Sequence, residues 1–266
     1  MSKTLLPPQL KQLTLRGMRK VPEVTIYFWI VKLLSTAMGE STSDYLVFHI
    51  NAYVAVVLGF IGLIASLVVQ LLVRRYIAWV YWLAVVMVAI FGTMAADVIH
   101  VVLGVPYLIS TIFFAVVLAV IFVVWYASEK TLSIHSINTP RRELFYWATV
   151  ITTFALGTAA GDMTAATFGL GYFASGVLFA VLFAIPALAY RWFGLYEVAA
   201  FWFAYIMTRP LGASFADWFG KPILGGLGLG DTKVALVLTI VIIVFVGYLT
   251  VTRVDMKGHE PIRNED

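Results

Sequence analysis

The sequence of 266 residues contains no cysteine. Disulfide bonds, thiolate metal sites and cysteine nucleophiles are therefore excluded. Charged residues are also scarce: they make up 12% of the chain, about half of the roughly 25% that is usual in soluble domains. Hydrophobic residues make up 62% and the mean hydropathy is +0.94. This composition predicts an all-α polytopic membrane protein whose main partner is the lipid bilayer.

Sequence patterns of enzymes and of nucleic-acid binding are missing too. The chain has no Ser-His-Asp order, no zinc-protease motif and no pair of histidines at haem-ligand depth. The glycine-rich stretch 225–231 follows no strand and leads to no Gly-Lys-Ser/Thr sequence, so a phosphate cradle is disfavoured. We expect a protein that is not an enzyme, has no certain cofactor and binds no nucleic acid.

What the chain does contain is the pattern W-x9-G-x4-D, four times, each time with an aromatic residue before the Trp. The copies are Trp29, Gly39 and Asp44; Trp82, Gly92 and Asp97; Trp147, Gly157 and Asp162; and Trp202, Gly212 and Asp217. A second apolar stretch follows each Asp, so the repeating unit is predicted to be a pair of membrane-crossing helices. The eight predicted spans are 22–43, 47–73, 77–97, 104–127, 143–162, 169–190, 196–217 and 232–252.

The basic residues predict the orientation of these spans. Fourteen of the 18 Lys and Arg fall in 1–20, 74–75, 128–142, 191 and 253–266, which the positive-inside rule assigns to the cytoplasm together with both termini. Every repeat then starts on the same side, so the four hairpins are parallel repeats with pseudo-symmetry about the membrane normal. The predicted organisation is a cytoplasmic segment 1–20, repeats one and two in 21–127, a linker 128–142, repeats three and four in 143–252, and a cytoplasmic tail 253–266.

The spacing within the motif suggests a role for each of its residues. A Trp at the start of a span suits an anchor at the membrane interface, and a Gly allows neighbouring helices to approach closely. The Asp, 15 residues after the Trp, lies roughly 22 Å further along a helix, near the outer edge of the bilayer. One interpretation is that the Asp merely marks a helix end. The other is a shared ion-binding site, because four acidic side chains at equivalent depths in a membrane are costly; its residues are Asp44, Asp97, Asp162 and Asp217.

Two further charged residues share a helix face with this proposed site. Glu40 lies one turn before Asp44, and Arg209 lies eight residues before Asp217. Pro210 should kink the helix after Arg209, as in the broken helices of transporter sites, where the cation could face a substrate. Alternatively, a carboxylate of another repeat neutralises Arg209 and the pair only locks the bundle. Lys32, three residues after the first Trp, is predicted to extend to the membrane surface.

Histidines accompany two of the four motif carboxylates. Asp97 and His100 are three residues apart, and Asp44 and His49 are five apart. Oxygen ligands with one or two imidazoles suit a divalent metal such as Mn²⁺, which gives Asp44, Asp97, His49 and His100 as candidate ligands. The plainer alternative is that each His is solvated or hydrogen-bonded near a helix end.

The segments around these motifs resemble a known family. Pro22-Glu23-Val24 precedes Phe28-Trp29, and Thr208-Arg209-Pro210-Leu211-Gly212 leads towards Asp217. Together with the fourfold motif, they resemble a bacterial family of membrane proteins with four tandem two-helix repeats, a characteristic tryptophan and no assigned function. The resemblance covers about residues 20–252 and implies eight spans in the bacterial inner membrane. It brings no substrate and no site residue.

We expect a transporter or exporter of a small cation, with a divalent metal such as manganese as the substrate and proton exchange as a driving force. A passive ion channel is one alternative. Another is a non-transporting scaffold or sensor, in which Arg209, Lys221 and Lys233 neutralise the carboxylates. A homo-oligomer is compatible with the sequence.

Overall fold

Residues 19–256 are described by a computed structural model, leaving aside the side chains of Val101 and Phe193. The predicted cytoplasmic segment 1–20 and tail 253–266 therefore lie largely outside the described residues. Eight α-helices run through the described part of the chain, and no strand occurs there. They are α1 (Ile26–His49), α2 (Ala52–Leu72), α3 (Ala78–Asp97), α4 (Tyr107–Glu129), α5 (Pro140–Asp162), α6 (Gly171–Phe193), α7 (Glu197–Gly220) and α8 (Asp231–Thr252).

Each helix matches one predicted span, with the largest difference at the end of α1, which continues to His49. Polar side chains before the apolar stretches set several starts. Thr139 caps α5 by accepting a hydrogen bond from the Arg142 backbone N–H, with Pro140 in the first helical turn. After their motif Asp, α3 and α5 continue into π-helical turns at Val98–Val102 and Met163–Thr167. Such turns often occur at functional sites.

Six of the helices, α2, α3, α4, α5, α6 and α8, are long and apolar enough to cross a membrane. The chain thus has the make-up of a multi-pass membrane protein. Helices α1 and α7 are as long but more polar, because Lys32 and Glu40 lie in one and Arg209 and Asp217 in the other.

The first helices of the four repeats form an inner ring in which α1 packs on α3, α3 on α5, α5 on α7 and α7 on α1. Each second helix packs mainly on the first helix of the following repeat: α2 on α3, α4 on α5, α6 on α7, and α8 back on α1. More than half of the apolar stretch of α3 and α5 is buried, against 17–28% in the four outer helices. The core therefore lies in the inner ring, and the outer helices present apolar side chains to their surroundings.

The motif glycines sit where inner helices meet. A Cβ atom at Gly92 would lie 2.9 Å from Phe154 Cβ, and one at Gly39 would lie 2.9 Å from the Ala89 carbonyl carbon. Gly157 packs in the same way on Arg209, and Gly212 on Thr36. Every partner stands seven residues after the Trp of the next repeat. The close helix approach predicted for these glycines is confirmed.

An aromatic layer fills the Trp end of the ring. The aromatic residue before each Trp contacts the Trp of the next repeat, with ring centroids 5.8 Å apart for Phe28–Trp82, 5.7 Å for Tyr81–Trp147, 6.2 Å for Tyr146–Trp202 and 5.7 Å for Phe201–Trp29. The hydroxyl groups of Tyr81 and Tyr146 hydrogen-bond to each other. The prediction of interfacial anchors is wrong for Trp82, Trp147 and Trp202, which are at most 4% exposed, because the aromatic layer takes them into the core.

Polar contacts tie chain segments together beyond the aromatic layer. Lys20 Nζ lies 2.6 Å from Glu143 Oε2, and Gln70 Nε2 donates to Glu143 Oε1 at 3.0 Å. Tyr76 donates a hydrogen bond of 2.5 Å to Asp255 Oδ2. These contacts join the segments before α1 and after α8 to the loop before α3 and to α5, which strengthens the closure of the ring.

Candidate functional site

The four motif carboxylates lie within the opposite end of the inner ring, the Asp end, and form two pairs. Asp44 and Asp217 come from the neighbouring helices α1 and α7 and are buried. Asp97 and Asp162 come from α3 and α5 and are half-buried. The structure thus brings the predicted site residues to a common interior, but as two pairs with different surroundings.

The first pair has a cation of its own. Lys221 follows the last residue of α7, and its Nζ lies 2.9 Å from Asp44 Oδ2 and 2.8 Å from Asp217 Oδ1. Burial opposes the charge of Lys221, but Asp217 and Asp44 outweigh it and raise the pKa of Lys221 well above its ordinary value. This lysine therefore stays an ammonium ion. The sequence pointed to Lys221 only under the scaffold alternative, although its position four residues after Asp217 was a usable signal.

The loop after α7 holds Lys221 in place. Leu227 N–H donates to the Trp218 carbonyl at 2.6 Å, and Leu229 N–H donates to the Phe219 carbonyl at 2.9 Å. This glycine-rich loop therefore folds back on the end of α7.

The second pair is joined by a histidine. One ring nitrogen of His100 and one carboxylate oxygen each of Asp97 and Asp162 lie within 4.8 Å of one another. His100 Nε2 is 2.5 Å from Ser110 Oγ, and its ring stands edge-on to Tyr107 at a centroid distance of 4.4 Å. Within residues 19–256, no Lys or Arg forms an ion pair with Asp97 or Asp162.

His49 lies apart from both pairs. It is the exposed last residue of α1, and its Nδ1 contacts the Tyr45 carbonyl at 2.9 Å. The candidate ligand set of Asp44, Asp97, His49 and His100 is therefore not one group in the structure. Asp97 and His100 are together, Asp44 pairs with Lys221, and His49 fits the plainer alternative of a hydrogen-bonded helix end. Asp162 is not among the candidate metal ligands predicted from the sequence, but its carboxylate lies beside His100.

An ion pair occupies the middle of the ring. Arg209, which is 1% exposed, places Nη2 2.6 Å from Glu40 Oε2. The same nitrogen donates to Thr158 Oγ1 at 2.7 Å and to Thr93 Oγ1, and Nη1 donates to the Thr36 carbonyl at 3.3 Å. All four repeats thus meet at one guanidinium group. Of the two alternatives for Arg209, neutralisation by another repeat is the one observed.

Helix α7 runs from Glu197 to Gly220 with Pro210 inside it, so the helix is not interrupted there, and a kink at Pro210 stays a prediction. One expectation about these inner helices is wrong. Lys32 does not reach a membrane surface. It is 1% exposed, and its Nζ lies 3.9 Å and 4.3 Å from the ring centroids of Phe154 and Tyr205. The π faces of these rings hold the ammonium group inside the bundle.

Known proteins offer one comparison with this chain. The model of a family described as a Repeat of Unknown Function (DUF347) matches four consecutive segments, 27–76, 80–131, 145–196 and 200–255. Each match spans one inner helix and the outer helix that follows it. Neither a curated protein nor a solved structure matches the chain. Since the four matches cover most of the sequence, the chain belongs to the DUF347 repeat family.

Proposed function

We propose that this protein is a membrane transporter of a small cation, with a divalent metal such as manganese as its substrate. In this proposal all eight helices cross a bacterial inner membrane, both termini are cytoplasmic, and the Asp end faces outward. The observation that carries it is the convergence of Asp44, Asp97, Asp162 and Asp217 inside the ring. Acidic side chains at membrane depth that face a bundle interior commonly mark an ion pathway.

The charge balance inside the ring supports a divalent substrate. Between the aromatic layer and the Asp end, the inner ring carries five carboxylates, namely Glu40 and the four motif Asp. Three of them have a cationic partner, because Arg209 pairs with Glu40 and Lys221 pairs with Asp44 and Asp217. Asp97 and Asp162 have no such partner among residues 19–256, and an uncompensated charge at low dielectric is costly. One divalent cation would balance these two carboxylates, and so would two protons, which would couple metal movement to proton exchange.

The closed end of the ring favours a carrier over an open channel. The aromatic layer and the Arg209–Glu40 network fill the axis, whereas Asp97 and Asp162 keep partial exposure at the Asp end. A carrier opens its site to each side of the membrane in turn, so one side is closed at any time. The scaffold alternative has its own support, since Arg209 pairs with Glu40, and Lys221 pairs with both Asp44 and Asp217, within the bundle.

Flux in proteoliposomes tests this proposal. We expect saturable Mn²⁺ flux that responds to a pH gradient, and at least a tenfold loss of flux in Asp97→Asn and in Asp162→Asn. Glu197→Gln is the control, because this exposed carboxylate lies at the start of α7, at the opposite end from Asp217. Wild-type flux no greater than that of empty liposomes for the divalent metals would contradict the proposal. Flux that does not saturate would indicate a channel.

A further inference from the structure

We infer that Asp97, Asp162 and His100 form an open divalent-metal site at the Asp end, whereas the Lys221 ammonium group already fills the other acidic group. The inference rests on the proposed function for its substrate class and narrows that function to one ligand set. It separates four sequence-equivalent carboxylates into a binding pair and a structural pair.

The filled group consists of Glu40, Asp44 and Asp217, and side-chain cations of the protein already occupy it. Carboxylate oxygens of Glu40, Asp44 and Asp217 lie within 4.8 Å of one another. Lys221 Nζ lies within 2.9 Å of two of these residues, and Arg209 pairs with the third. A metal ion could enter only by displacing an ammonium group that the chain itself supplies.

The open group has the size of a metal site and no cation of its own. Ligand atoms bound at about 2.1 Å to one ion lie at most about 4.2 Å apart. Since the three candidate atoms lie within 4.8 Å, side-chain movements of less than about 1 Å would bring them to one ion. The π-helical turn Val98–Val102 places His100 beside the carboxylate of its own repeat.

The hydrogen bonds of His100 supply independent support. Ser110 Oγ donates its proton to the Tyr107 carbonyl at 3.0 Å, so its oxygen is free to accept one from His100 Nε2 at 2.5 Å. A neutral imidazole that donates through Nε2 carries its lone pair on Nδ1. His100 is 8% exposed, and Nδ1 has no hydrogen-bond partner in the part of the chain described. A metal-binding histidine typically has this arrangement, with the second nitrogen fixed by a neighbour.

The position of repeat three that is equivalent to His100 is not a histidine, so the proposed site has one imidazole. Asp162, Tyr172 and Ser175 repeat the spacing of Asp97, Tyr107 and Ser110, but Ala165 replaces the histidine. Ser175 Oγ is correspondingly buried without a hydrogen-bond partner among residues 19–256. The ligand set is therefore two carboxylates and one imidazole. The imidazole suits Zn²⁺ and the two carboxylates suit Mn²⁺, whereas Ca²⁺ and Mg²⁺ are usually bound by oxygen ligands alone.

Equilibrium dialysis of the purified full-length chain with Mn²⁺, Zn²⁺ and Mg²⁺ tests the site. We expect one Mn²⁺ or Zn²⁺ per chain and at least a tenfold loss of affinity in Asp97→Asn and His100→Asn. His49→Asn is the matched histidine control and should bind as the wild type does. Ser110→Ala should weaken binding about tenfold and change its pH dependence, because Ser110 positions His100 without touching the metal. Unchanged affinity in Asp97→Asn and His100→Asn would overturn the inference.

A measurement on the wild type keeps the test independent of variant folding. Electron spin-echo spectroscopy of bound Mn²⁺ should show coupling to one imidazole nitrogen, and its absence would overturn the ligand set. Flux distinguishes the two proposals. Metal bound at this site without flux in liposomes would reject transport but keep the site. Flux that survives in Asp97→Asn and His100→Asn would reject the site but keep transport.

Discussion

The ion pair between Arg209 and Glu40 gives the most quantitative prediction. Both side chains are buried, at 1% and 3% exposure, and their closest atoms are 2.6 Å apart. Glu40→Gln keeps the shape of the side chain but leaves a buried guanidinium with only hydroxyl and carbonyl partners. Removing one partner of a buried ion pair costs about 3–5 kcal/mol. At about 2–4 °C per kcal/mol for a large domain, we expect Tm to fall by roughly 6–20 °C.

Thermal unfolding in detergent, followed by circular dichroism, measures this change. Glu197→Gln is the control, because the Glu197 side chain is 68% exposed, and its Tm should stay within about 2 °C of the wild type. The double variant Glu40→Gln with Arg209→Met removes both charges, so its loss should be clearly smaller than the sum of the two single losses. A Tm of Glu40→Gln within about 2–4 °C of the wild type, or strict additivity, would refute a strong central pair.

Three further predictions concern the glycines, Lys221 and a buried tryptophan. Gly39→Ala should lower the free energy of unfolding by about 1–3 kcal/mol in the same melting assay, because the added methyl group would meet the Ala89 backbone. Gly247→Ala is the control and should be neutral or stabilising, because a methyl group there would meet open space. Lys221→Met should raise the bound metal from one to two ions per chain, measured by elemental analysis after dialysis; an unchanged ratio would contradict the filled-site interpretation. Trp202→Phe should cost about 1–3 kcal/mol in unfolding experiments, because Nε1 donates to the Leu132 carbonyl at 2.8 Å; the exposed Trp192→Phe serves as its control.

Much of this fold follows from the repeated motif. Apolar length predicts the eight helices, and the Gly of the motif predicts close contact between inner helices, as found at Gly92 and Phe154. Hydropathy also explains why α1 and α7 differ from the other helices. Their charges face the ring axis and make these two helices more polar than the six apolar ones.

The neighbours of each residue were harder to predict. Spacing along a helix gives depth but not the helix opposite, and the ring order depends on outer helices that pack on the following repeat. Lys32 therefore looked like a surface residue, although two aromatic rings from other repeats enclose its ammonium group. Lys221 lies beyond the fourth Asp, where only the folded loop shows that it points back to Asp44. The two kinds of carboxylate pair could not be separated without these contacts.

Cysteine cross-linking tests most directly whether the motif carboxylates share one interior, and the absence of native cysteines makes the background clean. Asp97→Cys with Asp162→Cys, and Asp44→Cys with Asp217→Cys, should each form a cross-link with Hg²⁺ in native membranes. Asp97→Cys with Val177→Cys is the control, because Val177 is exposed on outer helix α6. The account predicts cross-links in both motif pairs and none in the control. Motif pairs that fail to cross-link would place the carboxylates apart and contradict it.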